Sequence, residues 1–283
     1  VLPILNAYNY NYSEIAKDGS EYEYNNGKEG TATFTHKTYS NIVIKKDITA
    51  DTLTCSWADY NNVNINWKIA SNNENKIQGT YQDGTYILTI NDTVAVPNIS
   101  KLNDKALPSV KISGNGTLKV TMLDSIFKNL VVDGANYVVN NNLSSENINV
   151  INKGTLNVNG TVSVTNLNLD NESTLIVTGT TGDAISVKNG GKLQLFGTAN
   201  IKAAERQTGI CFAKAESSLH LSNTSRVTVS GGAFTIGYFN TNENVKIYYP
   251  KTATLADNKI TSSENNILLS YGSLCKIVFE AVE

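Results

Sequence analysis

From Ser109 to Gly232 the chain runs in short stretches of four to six residues in which apolar and polar side chains alternate, separated by Gly, Asn or Asp. Alternation over so few residues is the period of a half-buried β-strand, and the separating residues are turn formers. Several stretches align with one another. Asn115-Gly116-Thr117-Leu118-Lys119-Val120 matches Lys153-Gly154-Thr155-Leu156-Asn157-Val158 and Glu172-Ser173-Thr174-Leu175-Ile176-Val177. Gly190-Gly191-Lys192-Leu193-Gln194-Leu195 and Glu216-Ser217-Ser218-Leu219-His220-Leu221 fit the same template, and Asp133 to Val139 fits it loosely. Taking the apolar residue after each turn as a register mark gives Leu118, Tyr137, Leu156, Leu175, Leu193 and Leu219, with steps of 19, 19, 19, 18 and 26 residues.

A repeat near 20 residues predicts a solenoid, in which each unit buries its apolar face against its neighbours. A second strand precedes each turn, as in Val110–Ser113, Leu130–Val132, Ile148–Ile151 and Ile185–Lys188. Two strands and their corners leave no room for a helical crossover, which needs at least about ten residues. The spacing of a leucine-rich repeat is absent. The predicted fold is therefore all-β: a single-stranded right-handed parallel β-helix of about 19 residues per coil, with irregular β caps. Residues 1–100 read as an irregular β region, either upstream coils and cap or a small separate β domain. Residues 101–232 read as the regular β-helix, and 233–283 as a C-terminal β cap. Along the strands, Leu118 and Val120, Leu156 and Val158, and Leu175 and Val177 are expected to point inward and stack.

Composition fits this picture. The chain has 39 Asn among 283 residues, while charged residues make up only 17%. Asn is a weak helix former that tolerates left-handed turns, and at corners its amide can hydrogen-bond the equivalent group one coil away. Asn-Gly and Asp-Gly steps are expected to supply positive φ at those corners. A net charge of −2 with dispersed Lys and Arg leaves no footprint for nucleic acid. No apolar run reaches the roughly 18–20 residues of a membrane helix. Val1 to Leu5 is too short and uncharged for a signal peptide, so the protein is either cytosolic or begins after a removed export signal.

Candidate chemistry is sparse. Cys55, Cys211 and Cys275 are widely spaced, and Cys55 and Cys275 share strand faces with apolar residues, so the three read as buried, inert thiols. His36 and His220 have no ligand-spaced partners; alternation turns His220 outward between inward Leu219 and Leu221. No metal site and no cofactor is expected, the exception being Ca²⁺ at the isolated corner carboxylates Asp133, Asp170 and Asp183. Asn189-Gly190-Gly191 sits between strands and so does not read as a phosphate loop. The Asp pairs, Gly-His-Gly and Arg clusters of β-helix pectinases are missing; Arg206 and Arg226 are the chain's two arginines. No catalytic residue is therefore named. Exposed aromatic side chains are the remaining candidates, because a flat apolar face with a polar tip suits a sugar ring. On that ground Trp57, Tyr60, Trp67, Tyr81, Tyr248 and Tyr249 are the candidate ligand-binding residues, the alternative being that these aromatics belong to the core and caps. Asp51-Thr52-Leu53, Asp92-Thr93-Val94 and Asp124-Ser125-Ile126 resemble the O-glycosylation triplet of exported Bacteroidetes proteins.

The Gly-Thr-Leu-x-Val units between Val110 and Gly232 resemble the right-handed parallel β-helix surface proteins of Bacteroidetes and Clostridia, which include adhesins and carbohydrate-binding β-helices. The resemblance implies export, a non-catalytic role and a polysaccharide or cell-surface glycan as partner, with the protein extracellular or on the outer cell surface. It carries no individual residue across. The expectation is a non-catalytic cell-surface adhesin or glycan-binding protein, and the alternative is a β-helix polysaccharide lyase or glycoside hydrolase whose site has no familiar motif.

Overall fold

A computed structural model describes the backbone of residues 3–7, 10–12, 24–26, 30–31, 41–44, 54–57, 64–68, 77–83, 85–96, 98–101, 109–120, 124–214, 216–238, 244–256, 259–261, 266–268 and 277–283, and the side chains of 83, 85–95, 109–120, 124–214, 216–237, 244–256, 259–261 and 277–283. Every regular element among them is a strand. The strands form stacked, largely parallel sheets, as in a solenoid. The chain divides into two compact units, Val1–Asn140 and Asn141–Glu283.

In the first unit, Thr85–Ile90, Ser109–Gly114 and Ser125–Asp133 pair in parallel, with Tyr86 opposite Val110 and Val110 opposite Leu130. A second parallel set joins Thr93–Val96, Thr117–Val120 and Asn136–Val139, with Val94, Leu118 and Tyr137 in one row. The parallel stack thus reaches upstream to Thr85, where an antiparallel hairpin with Ile77–Gln82 flanks it. Along Ser109–Gly114 and Thr117–Val120 alternation decides burial, so Val110, Ile112, Leu118 and Val120 point into the core and Ser109, Lys111 and Lys119 do not. Each fully buried aliphatic side chain contributes about 1.5–3 kcal/mol. One polar pair interrupts this core, where the Tyr137 hydroxyl meets the Ser125 hydroxyl at 3.0 Å. Burial pushes the Tyr137 phenol up, the hydrogen bond opposing it in smaller part. Of the three O-glycosylation-like triplets, Asp124-Ser125-Ile126 therefore keeps its hydroxyl inside, while Thr93 is exposed.

In the second unit the rows run longer. Ile148, Leu167, Leu193, Leu219, Ile247 and Phe279 follow one another across six parallel strands. On another sheet Leu156, Leu175, Ala199 and Val227 do the same. These registers correct one reading of the sequence. Leu175 and Leu193 are not successive marks of one row: Leu175 faces Ala199, whereas Leu193 faces Leu167 and Leu219. The 18-residue step between them joins two different sheets. Partner offsets are 19 residues from Ile148 to Leu167, then 26, 26, 28 and 32 down the row. Parallel pairing also continues past Gly232, because Val245–Pro250 and Ile277–Val282 extend the stack. A small antiparallel sheet of Thr254–Ala256, Lys259–Thr261 and Asn266–Leu268 stands beside these strands in sequence.

Asn does link neighbouring strands. Asn166 Nδ2 donates to Asn147 Oδ1 at 3.0 Å, and Asn166 Oδ1 accepts the Lys192 N–H at 3.1 Å. Asn142 Oδ1 accepts from both the N–H and the hydroxyl of Thr161. The Asn-Gly corners work in two ways. Asn189 and Gly190 both take positive φ. Gly116 does not, and is needed because a Cβ there would lie 2.3 Å from the Asp92 carbonyl oxygen. Close backbone stacking, rather than turn conformation, selects glycine at that site.

Candidate functional site

Three neighbouring strands of the second unit share a polar-apolar alternation: Lys192–Leu195, Ser218–Leu221 and Val245–Pro250. Leu193, Leu195, Leu219, Leu221, Val245 and Ile247 are buried, which drives the intervening residues onto the outer face. Parallel register then places Lys192, Ser218 and Lys246 in one outer row. Gln194, His220 and Tyr248 form the next. Glu216 and Asn244 stand two residues ahead of Ser218 and Lys246, at the strand entrances. Lys192, Glu216, Ser218, His220, Asn244, Lys246 and Tyr248 together line an open cleft of about 510 Å³.

The cleft has an ordered wall. The His220 and Tyr248 rings stack with centroids 4.4 Å apart and an interplanar angle of 25°. Ser218, two residues before His220 on the same face, brings its hydroxyl to 2.9 Å from His220 Nε2. Partial burial, and secondarily the Lys192 ammonium, lower the His220 pKa from 6.5 to about 4. The imidazole is thus neutral around pH 7 and is a weak base there. A serine–histidine pair of this kind removes a proton poorly, since a general base works best with a pKa near the operating pH. Hydroxyl and imidazole are better suited to holding a ligand than to attacking one.

The shifted histidine makes stability depend on pH. Below about 6.5 the unfolded chain takes up a proton at His220 that the folded chain refuses until about pH 4, so stability is fully present above 6.5 and falls as pH drops through that window. Allowing for the solvent screening of a half-exposed ring, the loss is about 1–2 kcal/mol. Urea midpoints at pH 7.5 and 4.5 should differ less in His220→Gln than in the parent; equal pH dependence in both would refute the assignment.

Of the aromatic residues expected to bind ligand, Tyr248 lies in the cleft. Tyr249, next along the strand and likewise half-buried, is not among the residues that line the cleft. Trp57, Trp67 and Tyr81 belong to the strands Thr54–Trp57, Asn64–Lys68 and Ile77–Gln82, but their side chains lie outside the described residues, as does all of Tyr60. His36 and Cys275 also lie outside them, as does the side chain of Cys55; Cys211 is buried. His220 points outward as alternation requires, yet sequence reasoning passed over it and its neighbours Lys192, Ser218 and Lys246. The matching templates at 190–195 and 216–221 already align Gln194 with His220. Tyr248 could not be added, because its strand follows 28 residues after Ser218–Leu221 in register.

The corner carboxylates proposed for Ca²⁺ are engaged with the protein itself. Asp133 pairs with the Lys111 ammonium at 2.6 Å. Asp170 accepts the N–H groups of Asn152 and Glu172, and Asp183 accepts that of Thr208. Among the described residues no three His, Cys, Asp or Glu side chains cluster to hold a metal ion, and no helix is long and apolar enough to cross a membrane. No family model, no curated protein and no solved structure matches this chain.

Proposed function

We propose that this chain is a non-catalytic bacterial cell-surface protein, exported to the extracellular side, that binds glycan as an adhesin. In this reading the solenoid is a right-handed parallel β-helix of the kind found in Bacteroidetes and Clostridia surface proteins. Its coils are about 19 residues long where they are shortest and lengthen toward the C-terminus. Right-handedness rests on the general rule that parallel strand crossovers turn that way in about 98% of cases.

One observation carries the binding role: the stacked Tyr248 and His220 rings on an open sheet face, ringed by hydroxyl, amide and ammonium groups. A pyranose presents an apolar face edged by hydroxyls, and this surface is its complement. Among the described residues Glu216 is the one carboxylate that lines the cleft, and a glycosidase needs two flanking the bond, which favours binding over hydrolysis.

Glycan-array binding run beside a reducing-end release assay tests the proposal. Retention without product is expected, and Tyr248→Ala should weaken it about tenfold, or roughly 1.4 kcal/mol. Product released from any polysaccharide would move the protein to the lyase or hydrolase class.

A further inference from the structure

The outer row beside the ring stack reads Lys192, Ser218, Lys246. Strands are about 4.8 Å apart, so the two lysine backbones lie about 10 Å apart with a small residue between them. The two long side chains therefore flank a notch whose floor is the Ser218 hydroxyl. Among the described residues neither ammonium is in an ion pair. The Lys192 charge is felt at His220, which sets it close to the ring wall. Two unpaired cations flanking a notch repel each other, and an anion seated between them removes that cost while gaining two charge-assisted hydrogen bonds. When His220 carries its proton on Nε2, the Ser218 oxygen accepts it, and the serine proton is left to donate to the same anion.

Resting on the glycan-binding reading, we infer that the cleft selects an acidic sugar: a pyranose ring lies against Tyr248 while its carboxylate or sulfate sits in the notch between Lys192 and Lys246. Glu216, on the rim, is left to accept sugar hydroxyls and disfavours a second acid group there.

Isothermal titration of the parent protein with a hexagalacturonate, a chondroitin sulfate hexasaccharide and neutral cellohexaose tests this. At least one acidic probe should bind about tenfold more tightly than cellohexaose, with the preference shrinking as salt is raised. The better of the two acidic probes identifies the acid group as carboxylate or sulfate. In Lys192→Gln/Lys246→Gln the acid-to-neutral ratio should fall about three- to tenfold, while Lys202→Gln, on another sheet, should leave it unchanged. Equal affinity for cellohexaose, or a preference that survives the double substitution, overturns the acidic selectivity and leaves glycan binding standing. Failure of all three probes to bind overturns both.

Discussion

Gly191→Ala is expected to cost about 3–5 kcal/mol, or to prevent folding, although it adds a single methyl group. A Cβ at residue 191 would lie 1.7 Å from the Thr165 carbonyl oxygen and 2.6 Å from its carbon, with the Lys188 carbonyl oxygen at 2.9 Å. All three obstacles are backbone, so no rotamer change relieves them. Both of the glycine's own backbone groups are also committed: its N–H closes the turn on Lys188 at 3.0 Å, and its carbonyl accepts from Ser218 at 3.1 Å. Moving the backbone aside would break the turn formed by Asn189 and Gly190, both at positive φ, and the register with the next strand. Overpacking a core commonly costs about 1–3 kcal/mol; an immovable obstacle places this site above that range. Urea unfolding beside Gly182→Ala gives the comparison. There a Cβ meets the Thr161 methyl at an ordinary 3.5 Å, and the midpoint should shift little. Equal shifts in the two variants would rule out the steric explanation.

Leu193→Ala should destabilise by about 2–5 kcal/mol, the usual range for a leucine whose loss leaves a cavity. Leu193 is fully buried and stands between Leu167 and Leu219. Parallel strands held by hydrogen bonds on both sides cannot close the gap. Because the row continues through Leu219, Leu193→Ala and Leu219→Ala should be non-additive, with a coupling of about 0.5–3 kcal/mol in a double-mutant cycle read from urea unfolding. Strict additivity would mean that the two leucines do not share a row, and the assigned register would have to be abandoned.

Leu193 also marks the boundary between what was legible in the sequence and what was not. Its inward direction follows from Lys192-Leu193-Gln194-Leu195 alone, since period-two alternation leaves one choice once one face is apolar. Which row it joins does not follow. Sequence spacing aligned it with Leu175, because the two templates look alike and both sheets of the stack use the same Gly-x-Leu-x-apolar pattern. Corner length, which varies freely at little energetic cost, determines which sheet a template lands in. The candidate site was lost for the same reason. Ser218, His220, Lys246 and Tyr248 are each predictable as outward-facing, but their meeting depends on a 28-residue offset that no periodicity announces. The aromatic residues chosen from sequence were chosen by type; of those whose side chains are described, Tyr248 joins the cleft and Tyr249 does not line it.

The amino-acid sequence by itself determined the all-β class, the stacked short strands, the inward and outward faces of those that alternate and the use of Asn to tie neighbouring strands together. These are local matters, governed by side-chain period, turn chemistry and backbone propensity. The tertiary structure alone decided which strands are neighbours, that Gly116 and Gly191 answer to carbonyls on adjoining coils, and that two lysines, a serine, a histidine and a tyrosine share one cleft. Those depend on the lengths of the connecting corners, and a corner's length constrains nothing until the strands it joins have paired.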